Sequence, residues 1–287
     1  MAIGLILAII TILITITIFT TNHLAPVKKL FNNYWFYVVV AIFGLVYFLL
    51  LRWIWDLQAW INNDDLGYIG KMSVVKSKVL LLDMCHFLAV AIPFTMLVDR
   101  KRRFLPILGW FAIVGAGITI FGQIMFEKVG PEGNVHLQKV SWWEYIFFNK
   151  LYFMMHFYIF IVAWIIILNS PSFNGKRITM THGFALSYFL YVTICVFSLK
   201  IDRNATGLVI NDWLAGGQYQ VIGAWFNNLG WPAIPIVAFS LVWIWIMLMI
   251  LLRNTLVLDS RYDVDAKFAI TCLKSWLMVK LYKQKVY

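Results

Sequence analysis

Charge is scarce in this sequence. Only 13% of its 287 residues are charged, 62% are hydrophobic, and the mean hydropathy is +0.80. So little polar surface cannot wrap an ordinary water-soluble core, and lipid is the expected solvent. Acid is scarcer than base, with 13 Asp and Glu against 24 Lys and Arg and a net charge of +11. In a soluble protein that excess would suggest nucleic acid. Here the bases lie between and after apolar runs, which assigns them to orientation and anionic headgroups and excludes nucleic acid from the expected partners. Cysteine is scarce as well: Cys85, Cys195 and Cys272 are far apart and form no CxxC pair. That excludes a disulfide framework and gives no sign of a zinc site or of thiol–disulfide exchange. No internal repeat or low-complexity segment interrupts the chain. Gly109, Gly115, Gly117 and Gly122 follow no strand and precede no Lys, so they read as small residues for close helix contact rather than a phosphate loop.

What is there is a series of apolar windows: Ala2–Thr20, Tyr34–Trp55, Val79–Val98, Phe104–Phe126, Tyr145–Leu168, Ile178–Leu199 and Ala233–Leu252. A spanning helix needs roughly 20 residues, so these predict an all-α polytopic membrane bundle of about seven transmembrane helices. The first window lacks a basic n-region and is expected to be a retained span. Residues 1–253 form the expected transmembrane domain, and 254–287 a basic cytoplasmic tail that contacts anionic lipid headgroups. Within the tail, Asp263–Tyr282 reads either as an interfacial helix, with Lys267, Thr271 and Lys274 on its polar stripe, or as a helix packed on the loops.

Fifteen of the 24 Lys and Arg lie in the first, third and fifth connections and beyond the last apolar window, Arg253 included. This asymmetry predicts the N-terminus outside and the C-terminus in the cytoplasm of a cell membrane, with the Asp99–Arg103 turn, DRKRR, as its strongest single feature. The sixth connection, Lys200–Trp231, is long and polar, and reads either as a cover over a cavity or as a surface loop.

Ionisable groups at membrane depth cost several kcal/mol unless they face a partner or a cavity. The candidates are Asp83, Cys85 and His86 in the third window, Gln123 in the fourth and His156 in the fifth. Asp83 and His86 are three apart and can touch, whereas Asp83 and Cys85 fall about 200° apart around a continuous helix. Two arrangements fit: an Asp83–His86 pair beside the thiol, or Cys85 facing His156 across a helix interface. Either would favour a thiolate nucleophile. The ordinary role of a membrane Cys is packing, and that of a membrane His is an interhelical hydrogen bond.

Three segments carry a resemblance: LLLDMCHFLAVAIPF (Leu80–Phe94), YFMMHFYIFIVAW (Tyr152–Trp164) and NNLGWPAIPIVAFSL (Asn227–Leu241). Together they resemble the YwaF-type integral membrane family, which includes an animal phospholipid acyltransferase. The resemblance implies Cys85 as the acyl-accepting nucleophile and His156 as its base, with Asn204 and Gln123 as polar lining.

The leading expectation is a membrane enzyme that moves an acyl chain between phospholipids through a Cys85 thioester, with no cofactor and no metal. Cys85, about seven residues inside the third span, would lie roughly 10 Å below its outer end. The alternative is a transporter or solute-binding component whose polar intramembrane cavity is lined by Asp83, His86, Gln123 and His156. A non-catalytic membrane scaffold is the third reading. A lipid-facing cleft at Cys85 distinguishes the first, and a closed vestibule with paired charges the second.

Overall fold

The computed structural model describes residues 2–62, 67–126, 153–170, 175–201 and 233–256. Among the described residues every regular element is a helix. In chain order these are α1 (Ala2–Thr21), α2 (Ala25–Asn32), α3 (Tyr34–Leu45) continuing through a π-helical stretch (Val46–Trp53) into α4 (Ile54–Ile61), then α5 (Gly67–Val79), α6 (Met84–Val98), α7 (Leu105–Phe126), α8 (Phe153–Leu168), α9 (Gly175–Leu199) and α10 (Ala233–Leu256).

Local chemistry explains why these runs are helical despite their polar interruptions. Along α1 the threonines close their own hydrogen bonds: Thr11 Oγ1 donates to the Leu7 carbonyl at 2.8 Å and Thr15 Oγ1 to that of Thr11 at 2.7 Å. Hydroxyls satisfied in this way leave the helix exterior apolar. At the start of α7, Asp99 Oδ2 accepts from the Phe104 and Leu105 amides at 2.7 and 3.1 Å. The carboxylate thereby takes up amides at the helix entrance that no carbonyl reaches.

α8 is buried along almost its whole length, and its most extensive contact is with α7. α6 joins α7 to α3, and α1 lies against α8. Small residues set the close approach, as the sequence predicts. A Cβ on Gly109 would stand 3.3 Å from Ile167 and 3.6 Å from the Ala163 carbonyl, and one on Gly117 3.3 Å from the Phe160 ring. On α3, a Cβ at Gly44 would run into the Tyr158 ring, whose hydroxyl donates to the Val40 carbonyl at 2.9 Å.

Each of the seven apolar windows contains a helix, but the expectation of about seven spans is narrowed. Among the described residues two helical stretches are long and apolar enough to cross a membrane, Val75–Val98 and Gly175–Leu199. A third counts if the α1–α2 pair, Leu5–Thr21 and Ala25–Asn32, bent by 106°, is one broken span. Tyr34–Leu49, Leu105–Phe121, Phe153–Leu168 and Ser240–Leu251 are shorter apolar helices. Hydropathy windows register apolar length and are blind to the bends and caps that divide it. Large apolar side chains face outward on α1, α9 and α10, with Leu13 57%, Leu186 70% and Ile236 58% exposed. The tail beyond Leu256 and the connection after Ile201 lie outside the described residues.

Candidate functional site

The stretch Val75–Val98 is interrupted between α5 and α6, and its polar chemistry collects at the interruption. α5 ends as Leu81 turns to φ 52. The Leu82 amide then reaches back to the Ser77 carbonyl at 3.0 Å and the Leu81 amide to that of Lys78 at 3.2 Å. This paired closure is the Schellman helix stop, usually built on glycine. A helix end leaves its last carbonyls without intrahelical donors. Two tyrosines of α9 meet them: Tyr188 donates its hydroxyl to the Leu82 carbonyl and Tyr191 to the Leu80 carbonyl, each at 2.6 Å. α9 ends in the same way, with Lys200 at φ 48 and the Ile201 amide on the Val196 carbonyl at 3.0 Å. Leu82 and Ile201, the residues just past the two stops, are buried in one apolar cluster with Tyr188, Val192 and Val196.

Asp83 follows as the residue immediately before α6. Its carboxylate makes no bond to the helix amides and turns sideways. Oδ2 lies 3.2 Å from Lys78 Nζ and 3.3 Å from His86 Nδ1. The ammonium also stands 3.3 Å from His86 Nε2. An unprotonated Nε2 accepts from the ammonium, while Nδ1 stands against the carboxylate without the alignment of a hydrogen bond. The three side chains are largely shielded, and the imidazole rests 5.9 Å from the Phe48 ring in the π-helical stretch. Ammonium, carboxylate and imidazole thus share one shielded site.

The sequence expectation of an Asp83–His86 pair describes this contact. The expected continuous helix through Val79–Val98 is corrected: Leu81 at positive φ stops one helix, and the next begins at Met84. Cys85 therefore lies in the first turn of α6, not about seven helical residues inside a span. Its thiol is directed at α7, where a Cβ on Gly115 would lie 3.2 Å from Sγ and where the Thr119 hydroxyl is within hydrogen-bonding reach. His156 is buried on α8. Gln123 falls on α7 beyond the side chains described, and Asn204 lies outside the described residues. Lys78, Tyr188 and Tyr191 were not among the expected residues. Lys78 reads in the sequence as a helix-end cation, while the two tyrosines, three apart in an apolar run, carry the spacing of one helix face. Among the described residues no group of three or more His, Cys, Asp or Glu side chains is placed to hold a metal ion.

Comparison with known proteins corrects the family resemblance. A model described as "Family of unknown function (DUF5378)" matches residues 7–287. "Uncharacterized protein MG135" of Mycoplasma genitalium is 35% identical over 182 residues, which is 62% of this chain and 63% of that protein. "Uncharacterized protein MG135 homolog" of Mycoplasma pneumoniae is 33% identical over 147 residues, 50% of each chain. The matches thus span between half and two thirds of these relatives' own length. No solved structure matches. Nothing among the matches points to a YwaF-type family. The three segments that suggested it are short apolar runs with one Cys, one His or a Trp–Pro pair, patterns that membrane helices reach by composition alone.

Proposed function

The chain belongs to the family of unknown function DUF5378, and from that footing we propose a multi-pass membrane protein of about seven spans whose interrupted third span carries an ionisable site for moving protons or a small charged solute. The observation that carries this reading is the shielded Lys78–Asp83–His86 cluster at the break between α5 and α6. Ionisable groups at membrane depth are costly and mark ion or substrate pathways, and discontinuous helices are where transporters place such sites. The outward apolar faces of α1, α9 and α10 support placement in lipid. The bundle is placed in the cell membrane with the N-terminus outside and the basic connections in the cytoplasm.

The chemistry follows from the geometry. With His86 neutral, the ammonium of Lys78 sits on Nε2. A proton arriving at Nε2 sets two cations 3.3 Å apart, so proton entry displaces Lys78. Proton occupancy and the position of Lys78 are therefore exclusive states, which is the coupling a transport step needs.

The test is proton flux into liposomes containing the full chain, driven by a potassium diffusion potential and followed with an entrapped pH-sensitive dye. Asp83→Asn and His86→Gln are expected to slow the flux about ten-fold or more, corresponding to at least about 1.4 kcal/mol of barrier. Flux no faster than in empty liposomes, or variants equal to the parent, overturns the reading.

Acyl transfer is the second reading, favoured by the position of Cys85 two residues beyond Asp83 and one before His86. In that chemistry the thiolate attacks a phospholipid ester carbonyl, the lysophospholipid alkoxide leaves and takes a proton, and a second lysophospholipid hydroxyl later accepts the acyl group. A hydroxylamine-labile acyl mass on the intact protein, absent in Cys85→Ala, is the result it requires. An unacylated parent protein after incubation with mixed phospholipids removes it.

A further inference from the structure

At the opposite end of α6 from the cluster, three connections are tied together. The Arg102 guanidinium donates to Asn32 Oδ1 at 3.0 Å, to the Asn32 carbonyl at 2.8 Å and to the Asn169 carbonyl at 3.4 Å. It also lies over the Tyr37 ring, 4.4 Å from its centroid. Asn169 Nδ2 donates to Asn22 Oδ1 at 2.9 Å, so the connections after α1, α6 and α8 meet on one face.

α2 projects from this knot at 106° to the Leu5–Thr21 part of α1. With α1 along the membrane normal, α2 lies close to the membrane plane. At about 100° per residue, Ala25, Lys28, Lys29 and Asn32 fall on one side of α2, and Pro26, Val27, Leu30 and Phe31 on the other. Phe31 packs against the Ile18–Ile165–Leu168 cluster and fixes that apolar side toward the bundle. Leu24 and Leu30 remain 43% and 50% exposed. On the same face Lys29, Arg100, Lys101, Arg103 and Lys176 are exposed. Asp99 is the single acid in the three connections, and its Oδ2 is taken by the α7 amides. The cations therefore face outward with no acid of these connections among them.

We propose that α2 and the 99–104 turn form a docking surface for anionic phospholipid. α2 lies at headgroup level with Leu24 and Leu30 in the acyl boundary, and Lys28, Lys29, Arg100, Lys101, Arg103 and Lys176 surround the phosphates. The occupant follows from charge complementarity combined with adjacent apolar exposure, the pairing an anionic leaflet satisfies and a dissolved anion does not. The surface belongs to the α2 end of the bundle, at the opposite end of α6 from the proposed transport site.

Native mass spectrometry of the full chain, titrated with phosphatidylglycerol and separately with phosphatidylcholine, tests it. Lys28→Gln/Lys29→Gln is expected to weaken phosphatidylglycerol binding at least about five-fold, the minimum expected from one basic side chain at an anionic surface, and to leave phosphatidylcholine unchanged. Arg100→Gln/Arg103→Gln reads the same surface from the other connection and serves where the first variant fails to fold. Leu24→Gln/Leu30→Gln is expected to weaken both lipids. Unchanged phosphatidylglycerol affinity in the two cation variants overturns the proposal. So does displacement of the lipid by equimolar inorganic phosphate, which marks a free-anion site, or a change in subunit number in the cation variants, which marks a contact between copies.

Discussion

At the residue scale, Lys78 and Asp83 exemplify shielded charges that are more costly apart than together. Lys78→Met takes the ammonium from beside the Asp83 carboxylate and is expected to destabilise the protein by about 3 kcal/mol, whereas Lys78→Met/Asp83→Asn recovers most of the loss. Equilibrium unfolding in bicelles checks both; equal losses in the single and double variants would show that the two side chains do not share an interaction. The pair of Asp83 and His86 was legible in the sequence because three-residue spacing brings side chains together at a helix start as well as within a helix. Lys78 was not. It lies five residues before Asp83, across a stop whose left-handed residue is a leucine, and nothing in that leucine announces the turn as Gly or Asn would. Lys200 carries the same geometry at an exposed position. Lys200→Gly is accordingly expected to raise stability by up to about 1 kcal/mol, read as a higher Tm.

At the element scale, the break between α5 and α6 is held from outside by α9. Tyr188→Phe leaves the Leu82 carbonyl without its donor and is expected to cost about 1–3 kcal/mol. Tyr191→Phe, at an exposed position, is expected to cost less. Hydrogen exchange at the Leu81–Asp83 amides in the two variants checks the order, with Tyr188→Phe exchanging faster. The helices themselves were readable from apolar windows, since each window holds one. Their internal punctuation was not, because a Schellman stop, a π-helical stretch and a 106° bend leave apolar composition unchanged. Gly109, Gly115 and Gly117 of α7 were correctly legible as contact residues, for a missing Cβ has the same meaning in any helix pair, while Gly122 lies beyond the side chains described. Gly44 completes that pattern on α3. Gly44→Ala is expected to push the Tyr158 ring off the Val40 carbonyl and to destabilise the bundle by about 1–3 kcal/mol, measured by unfolding in detergent.

At the scale of the whole molecule, the charge asymmetry predicts sidedness. In inside-out and right-side-out vesicles, a cysteine replacing Lys101 is expected to react with a membrane-impermeant maleimide from the cytoplasmic face only, and one replacing Lys200 from the outer face only. Labelling of both from one side would refute the proposed alternation of spans. Family membership was the least legible property, since Leu80–Phe94 and its companion segments share apolar vocabulary with unrelated membrane proteins, whereas the family match draws on residues 7–287 together. The tyrosine latch on the broken helix also has a consequence for biogenesis. Leu82 precedes Tyr188 by 106 residues and Leu80 precedes Tyr191 by 111. In the proposed membrane placement the nascent Val75–Val98 segment leaves the ribosome long before its hydroxyl donors exist, so the Leu80 and Leu82 carbonyls wait for those donors until α9 arrives. Final burial of that segment is therefore a late event, timed by the sixth apolar run and not by the third.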